Sequence, residues 1–396
     1  MATSDIHQKH IDTKHHGRIR FPKPEQGNLP ITTLKSLQEH LQTAIAVELS
    51  TIPLYLYGMY SVNQPGSPVP SNIRGVVLEE MLHLSLAGNT LLAVGGTPKL
   101  YDSSIIPKYP APMLGRVPEL ILELRGLTKE NLQLFIDVET PEAKDAPPES
   151  DNYQSLGQFY KAIELGLAYL NYVTPTLFNP ATVAFQFNPN PPDPNTVFDP
   201  EHSDSGGLVA VKDLASALTA MKTIVDQGEG NPGPYDDPLK LEKDHYDIFK
   251  DLRDGTDTWQ TFPIISNPTT AGYLAIDKNI HQVSITFDMA YCYLLMTIEK
   301  FWTVSSTDGR NALSGNLFGI MGGVLSPLAN FLIQQPIGTS GEVAGPCFNY
   351  FGFQSASSAL NELKAAIQAA VTAYAGNTQL TGIQDTIGGL TDISTI

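Results

Sequence analysis

IRGVVLEEMLHLSLAGNTLLAV, residues 73–94, decides the fold of this chain. Ile73, Val76, Val77, Ala87, Leu91 and Val94 recur at steps of three and four, which draws one apolar face of a helix. Glu80 and His83 lie on that same face, one turn apart, where a solvated charge is not expected. The stretch before it, LQTAIAVELSTIPLYLYGMY at 41–60, repeats the anomaly. There the stripe runs Leu34, Leu37, Leu41, Ala44, Ile52, Tyr55 and Met59, with Glu48 inside it. A buried acid needs a partner, and a metal cation is the strongest one.

The connection at 63–72 carries Pro65, Pro68 and Pro70 and is short, as expected between antiparallel helices. Gly95, Gly96 and Pro98 stop the second helix. The pattern then weakens, with short helices expected at 120–124 and 129–136, followed by ETPEAKDAPPESDN at 139–152, read as an acidic, proline-rich linker. A third helix opens with a capping box, Ser155 and Gln158, and places Glu164 among Tyr160, Ile163, Leu167 and Leu170. Residues 174–207 read as a long loop. A fourth helix runs through Val211, Leu214, Leu218, Met221 and Val225 and breaks at QGEGNPGP, 227–234; LEKDHYDIFKDL at 241–252 resumes it, with Glu242, His245, Phe249 and Leu252 on one face.

Side by side these elements supply Glu48, then Glu80-x-x-His83, then Glu164, then a glutamate with His245. That is the ligand pattern of ferritin-like di-iron or di-manganese bundles, in which carboxylates span two cations and one imidazole completes each metal. Each residue alone has an ordinary reading: an ion pair for Glu48, a chance spacing for Glu80 and His83, a surface acid for Glu164, a core histidine for His245. Their conjunction, in order, favours the metal site. Glu79 lies four residues before His83, but Glu80 is preferred because it shares the stripe with Val76 and Val77. The fourth carboxylate is Glu229 or Glu242. Gly228 and Gly230 flank Glu229 and suit a close backbone approach, whereas Glu242 stands three residues before His245.

AVELSTIPLYLY, LEEMLHLSLAGNTLLAVGGTPKL, LGQFYKAIELGL, IVDQGEG and DHYDIF, followed by FDMAYCYLLMTIE, MGGVLSPLANFLI and AGPCFNYF, together resemble the ferritin-like family typified by iminophenyl-pyruvate dimer synthases of bisindole pigment biosynthesis. The resemblance runs over residues 35–354. It implies an all-α, ferritin-like four-helix bundle with metal ligands at Glu48, Glu80, His83, Glu164, Glu229 and His245. It further implies two iron ions, with manganese an alternative, O2 or peroxide as co-substrate, and an oxidative reaction on a small amine, imine or 2-oxo acid derived substrate. Tyr55, Tyr57 and Phe159 are candidate pocket walls. The other function classes are a metal-free helical scaffold and an iron-storage protein, and a bare cage subunit fits the extra helices and long loops poorly.

With 396 residues and 42% hydrophobic content the chain is long enough for a large core. The expected division is an extended segment at 1–30, the bundle at 31–255, and a helical part at 256–396 packed on it or at a homo-oligomer interface. Helices are expected at 283–304, at 311–333 with a kink at Pro327, and at 360–374, with a loose tail beyond. Met289, Met296 and Met321 read as core filler. The balance of 24 basic and 41 acidic residues, net charge −17, disfavours nucleic acid and anionic lipid. Two cysteines, Cys292 and Cys347, and an N-terminus with no apolar signal region lead to the expectation of a reduced, cytoplasmic protein. The best apolar run, 283–298, contains Asp288 and falls short of the roughly 20 residues of a membrane span.

Overall fold

Thr33 accepts a hydrogen bond from Ser36 N and caps helix α1, Leu34–Tyr60, in the computed structural model, which describes residues 31–113, 119–141, 153, 155–188, 206–228 and 243–396. α2, Val69–Ala93, begins behind Pro68 and ends where Gly95, at φ 77°, turns the chain and returns its N–H to Leu92 O. The pair β1, Ala111–Pro112, and β2, Ile121–Leu122, is antiparallel, so the short helix expected at 120–124 is a strand. α3, Lys129–Val138, is capped by Thr128, and α4, Leu156–Val173, by Ser155, whose Oγ accepts from Gln158 N as the sequence motif requires. After a 3-10 turn at Pro180–Phe185 come α5, Leu214–Gly228, and α6, His245–Asp254, the latter capped by Asp244.

α1 and α2 share the largest helix interface, and α4 and α5 pack on them to complete a four-helix layout. α1 is buried on most of its faces from Ser36 to Gly58: α2 and α4 pack along it, Tyr109 reaches Ser50 O, and Ile265 and Gly345 of the C-terminal part meet Tyr57. α3 and α6 form a second, short pair at one end. Tyr55, Phe135 and Phe249 join α1, α3 and α6 in an aromatic triangle with centroid separations of 4.8, 4.9 and 5.2 Å. Each such pair is worth about 1 kcal/mol beyond its buried area, and this one fixes where the C-terminal end of α3 and the N-terminal end of α6 lie.

The remainder is built around α8, Lys278–Phe301, which α7, Thr270–Ile276, precedes. α9, Thr307–Ile320, passes through a π-turn at Met321–Leu325 into α10, Ser326–Leu332. Pro327, which has no N–H to give, follows directly after that wider turn. This helix carries no charge from Asn311 on and is long and apolar enough to span a membrane by length and composition, which corrects the expectation that no run approaches that length. Leu313, Leu317, Ile320, Val324 and Leu328 face inward, and 44% of its most apolar window is buried. α11, Ala359–Ala373, packs on α8, and α12, Thr378–Gly388, packs on α11. The tail is therefore not loose. The Tyr293 hydroxyl donates to Thr391 O and accepts from Ile393 N, while Asn316 exchanges two hydrogen bonds with Thr391.

The apolar core runs unbroken from the bundle into the C-terminal helices. Trp302 lies over Gly88 of α2, and its indole N–H donates to Asn89 Oδ1. A Cβ on Gly88 would fall 2.1 Å from Trp302 Cζ2, so Gly88→Ala is expected to expel the indole and cost about 3 kcal/mol. A lowered urea midpoint at unchanged m-value checks this, and a wild-type midpoint contradicts it.

Candidate metal centre

Five side chains from four elements converge inside the bundle: Glu48 of α1, Glu80 and His83 of α2, Glu139 directly after α3, and His245 at the first turn of α6. Glu139 is 2% exposed and His245 is fully buried. One donor atom from each of Glu48, Glu80 and His83 lies within 4.8 Å of the others, and the same holds for Glu80, Glu139 and His245. Glu80 belongs to both groups, so the arrangement is two three-donor sets sharing a carboxylate.

Each carboxylate is held. Thr51 Oγ1 donates to Glu80 Oε2 at 2.8 Å, the Tyr160 hydroxyl donates to Glu48, and the Tyr55 hydroxyl donates to Glu139. The imidazoles are oriented from behind. Gln227 commits its amide nitrogen to Gly206 O at 3.1 Å, which leaves its oxygen to accept from His83 Nε2 at 3.0 Å. Glu79 Oε2 accepts from His245 Nε2 at 2.7 Å. With a metal bound, these outer contacts would keep each proton on Nε2 and leave the inward Nδ1 free to coordinate. His83 Nδ1 lies 3.5 Å from Glu48 Oε2. His245 Nδ1 lies 3.0 Å from Glu80 Oε1 and 3.7 Å from Glu139 Oε1, with no hydrogen-bond partner. A buried, unpartnered nitrogen aimed between carboxylates is the arrangement a cation satisfies, and the carboxylate and imidazole donors fit iron or manganese.

The electrostatics agree. Burial pushes the Glu80 carboxyl well above the usual range, and the charge of Glu139 raises it further. Burial also raises Glu48, but hydrogen bonding and charge from His83 outweigh it and leave Glu48 below its ordinary value. His245 loses by desolvation, yet Glu139, Glu79 and Glu80 together hold it well above the usual imidazole value.

Glu164, expected among the ligands, is in neither group. It is a partly exposed acid paired with Lys161 Nζ at 2.9 Å, one turn away on the same helix. Glu139 stands where it was expected, and it was read as part of a linker. It continues the α3 stripe of Leu132, Phe135 and Ile136 by one more step, which is the signal that exposed Glu48. Glu229 and Glu242 lie outside the described residues. Gly228, beside Glu229, brings its backbone so close that a Cβ there would stand 3.4 Å from Glu139 Oε2. Of the candidate pocket walls, only Tyr55 touches the site. Tyr57 donates instead to Ile265 O, Phe159 stacks on His40, and Tyr160 holds Glu48. A small cavity of ≈ 20 Å³ borders the carboxylates, with Leu156, Ile224 and Val225 also in its lining.

A ferritin-like family model matches residues 41–254, the segment that carries all five side chains. The chain belongs to the ferritin-like family. Among this ferritin-like chain's relatives, dichlorochromopyrrolate synthase of Lentzea aerocolonigenes is 26% identical over 83% of this chain and 37% of its own length. The 2-imino-3-(indol-3-yl)propanoate dimerase of Chromobacterium violaceum is 23% identical over 83% of this chain and 35% of its own. The chain thus spans about a third of the length of these relatives, which are biosynthetic enzymes. A crystal structure of a ferritin-like protein from Caulobacter vibrioides superposes with a TM-score of 0.55 at 22% identity, covering 74% of this chain and 95% of that one, which supports the fold alone.

Proposed function

We propose that this ferritin-like chain is a dinuclear metal enzyme that uses two iron ions and O2 or peroxide to oxidise a small amine, imine or 2-oxo acid derived substrate in natural-product biosynthesis. The observation that carries the proposal is the pair of donor sets sharing Glu80. Glu48 with His83 would hold one ion and Glu139 with His245 the other, with Glu80 common to both donor sets. Manganese satisfies the same donors. The bound ions supply the electron transfer that side chains alone lack.

The chain's own contribution is positional. Tyr160, Tyr55 and Thr51 orient the carboxylates, Gln227 and Glu79 orient the imidazoles, and burial keeps bulk water from the centre. Leu156, Ile224 and Val225 line the small cavity beside the carboxylates, which as it stands has room for a water-sized ligand next to the centre. The imine class follows from the name of one relative, the 2-imino-3-(indol-3-yl)propanoate dimerase, as part of the proposal.

An anaerobic Fe(II) titration of the metal-stripped protein tests it. Two tightly bound equivalents per chain are expected, and His83→Ala and His245→Ala are each expected to retain one. Zero equivalents in the wild type, or two in either variant, contradicts the ligand assignment.

A further inference from the structure

The two halves of the centre match on the carboxylate side and differ on the imidazole side. Each terminal carboxylate, Glu48 and Glu139, accepts a hydrogen bond from one tyrosine, Tyr160 and Tyr55. The outer nitrogen of His83 meets a neutral carboxamide, Gln227, at 3.0 Å, whereas that of His245 meets a carboxylate, Glu79, at 2.7 Å. An N–H donated to a carboxylate forms a charge-assisted bond and leaves the opposite nitrogen a stronger donor than one donated to an amide. The inward nitrogen so strengthened is His245 Nδ1, the one with no hydrogen-bond partner.

From this geometry we infer that Glu79 and Gln227 are positioning residues that make the metal positions inequivalent, so that the half formed by Glu80, Glu139 and His245 takes the first ion and the half formed by Glu48, Glu80 and His83 takes the second. The inference rests on the dinuclear reading and deepens it. Glu79 is well placed for this role because it neighbours Glu80 in sequence: successive residues on a helix point about 100° apart, so one reaches the centre while the other reaches around to the back of His245. Outer-shell partners of this kind change metal affinity by about 10–100-fold when removed.

Metal-stripped wild-type protein, Glu79→Gln and Gln227→Glu are titrated anaerobically with Fe(II), and each is also loaded with a single equivalent of 57Fe(II) for Mössbauer spectroscopy. Wild type is expected to bind in two unequal steps and to show one quadrupole doublet at one equivalent. Glu79→Gln is expected to weaken the first step by about 10–100-fold with the second unchanged, and so to spread one equivalent over two doublets. Gln227→Glu is expected to tighten the second step and blur the order in the same way. General damage to the fold would weaken both steps together and leave the filling order intact, which would overturn the inference. So would a Glu79→Gln isotherm superimposable on a two-equivalent wild-type isotherm, and in that case the dinuclear reading survives. Wild type that binds no Fe(II) removes that reading first and the inference with it.

Discussion

Glu80→Gln is expected to abolish tight Fe(II) binding in both halves of the centre while leaving the metal-free protein as stable as wild type. Glu80 is the side chain common to both donor sets, so its loss differs in kind from that of His83 or His245. The amide keeps the volume and can still accept the Thr51 hydroxyl, but it cannot bridge two cations as an anion. The predicted fall in affinity exceeds the roughly 100-fold that outer-shell changes produce. Stability of the metal-free form is insensitive for a specific reason: burial and the charge of Glu139 push the Glu80 carboxyl well above its usual range, toward the neutral acid that an amide resembles. The check is an Fe(II) isotherm beside a urea unfolding curve, both on metal-stripped protein. Two bound equivalents in the variant would falsify the bridging role, whereas lost binding with a large drop in midpoint would show that Glu80 holds the fold.

Asp288 supplies the second large effect, far from the centre. It is buried on α8, accepts from Thr270 Oγ1 at 2.5 Å and from Asn349 N at 2.9 Å, and has its carboxyl pushed by burial up to about 7. The unfolded chain releases that proton near pH 4, so between pH 4 and 7 the folded state binds more protons than the unfolded one. Stability from this group is fully present below pH 4 and declines as pH rises to about 7, by about 4 kcal/mol at 1.36 kcal/mol per pH unit. Asp288→Asn mimics the protonated acid and has no such decline. Unfolding free energies of wild type and variant, measured from pH 4 to 8, are expected to diverge by about 4 kcal/mol in the variant's favour across the window. Taking the difference cancels the other titrating groups, and a difference that stays flat with pH contradicts a buried acid at this position.

The long helices were legible because their physics is local. Glu48, Glu80 and His83 each interrupt an apolar stripe, and a stripe is a property of one helix that needs no partner to be seen. The same rule misdirected attention to Glu164. That residue also stands among apolar neighbours, but Lys161 on its own helix is close enough to take its charge, and the helix rotates it toward solvent. Glu139 was missed for the converse reason. Its helix has ten residues and ends in a proline-rich acidic run, so the stretch reads as a linker, although Leu132, Phe135 and Ile136 point the way to it. Likewise the Gly- and Thr-rich tail gives little periodic signal: α12 is held by packing on α11, and the segment after it by Tyr293 and Asn316 of other helices.

The sequence by itself determined the all-α class, the helices that cross the centre, and the choice of Glu48, Glu80, His83 and His245 as candidate donors, because each is written in the spacing of residues along one element. Only the tertiary structure decided that Glu139 is brought to the centre instead of Glu164, that Glu80 stands between two donor sets, and that Glu79 and Gln227 sit behind different histidines. Those facts depend on the aromatic triangle that seats α3 and α6 against α1 and on distances between elements as many as 166 positions apart in the chain, which no periodicity along a single helix can encode.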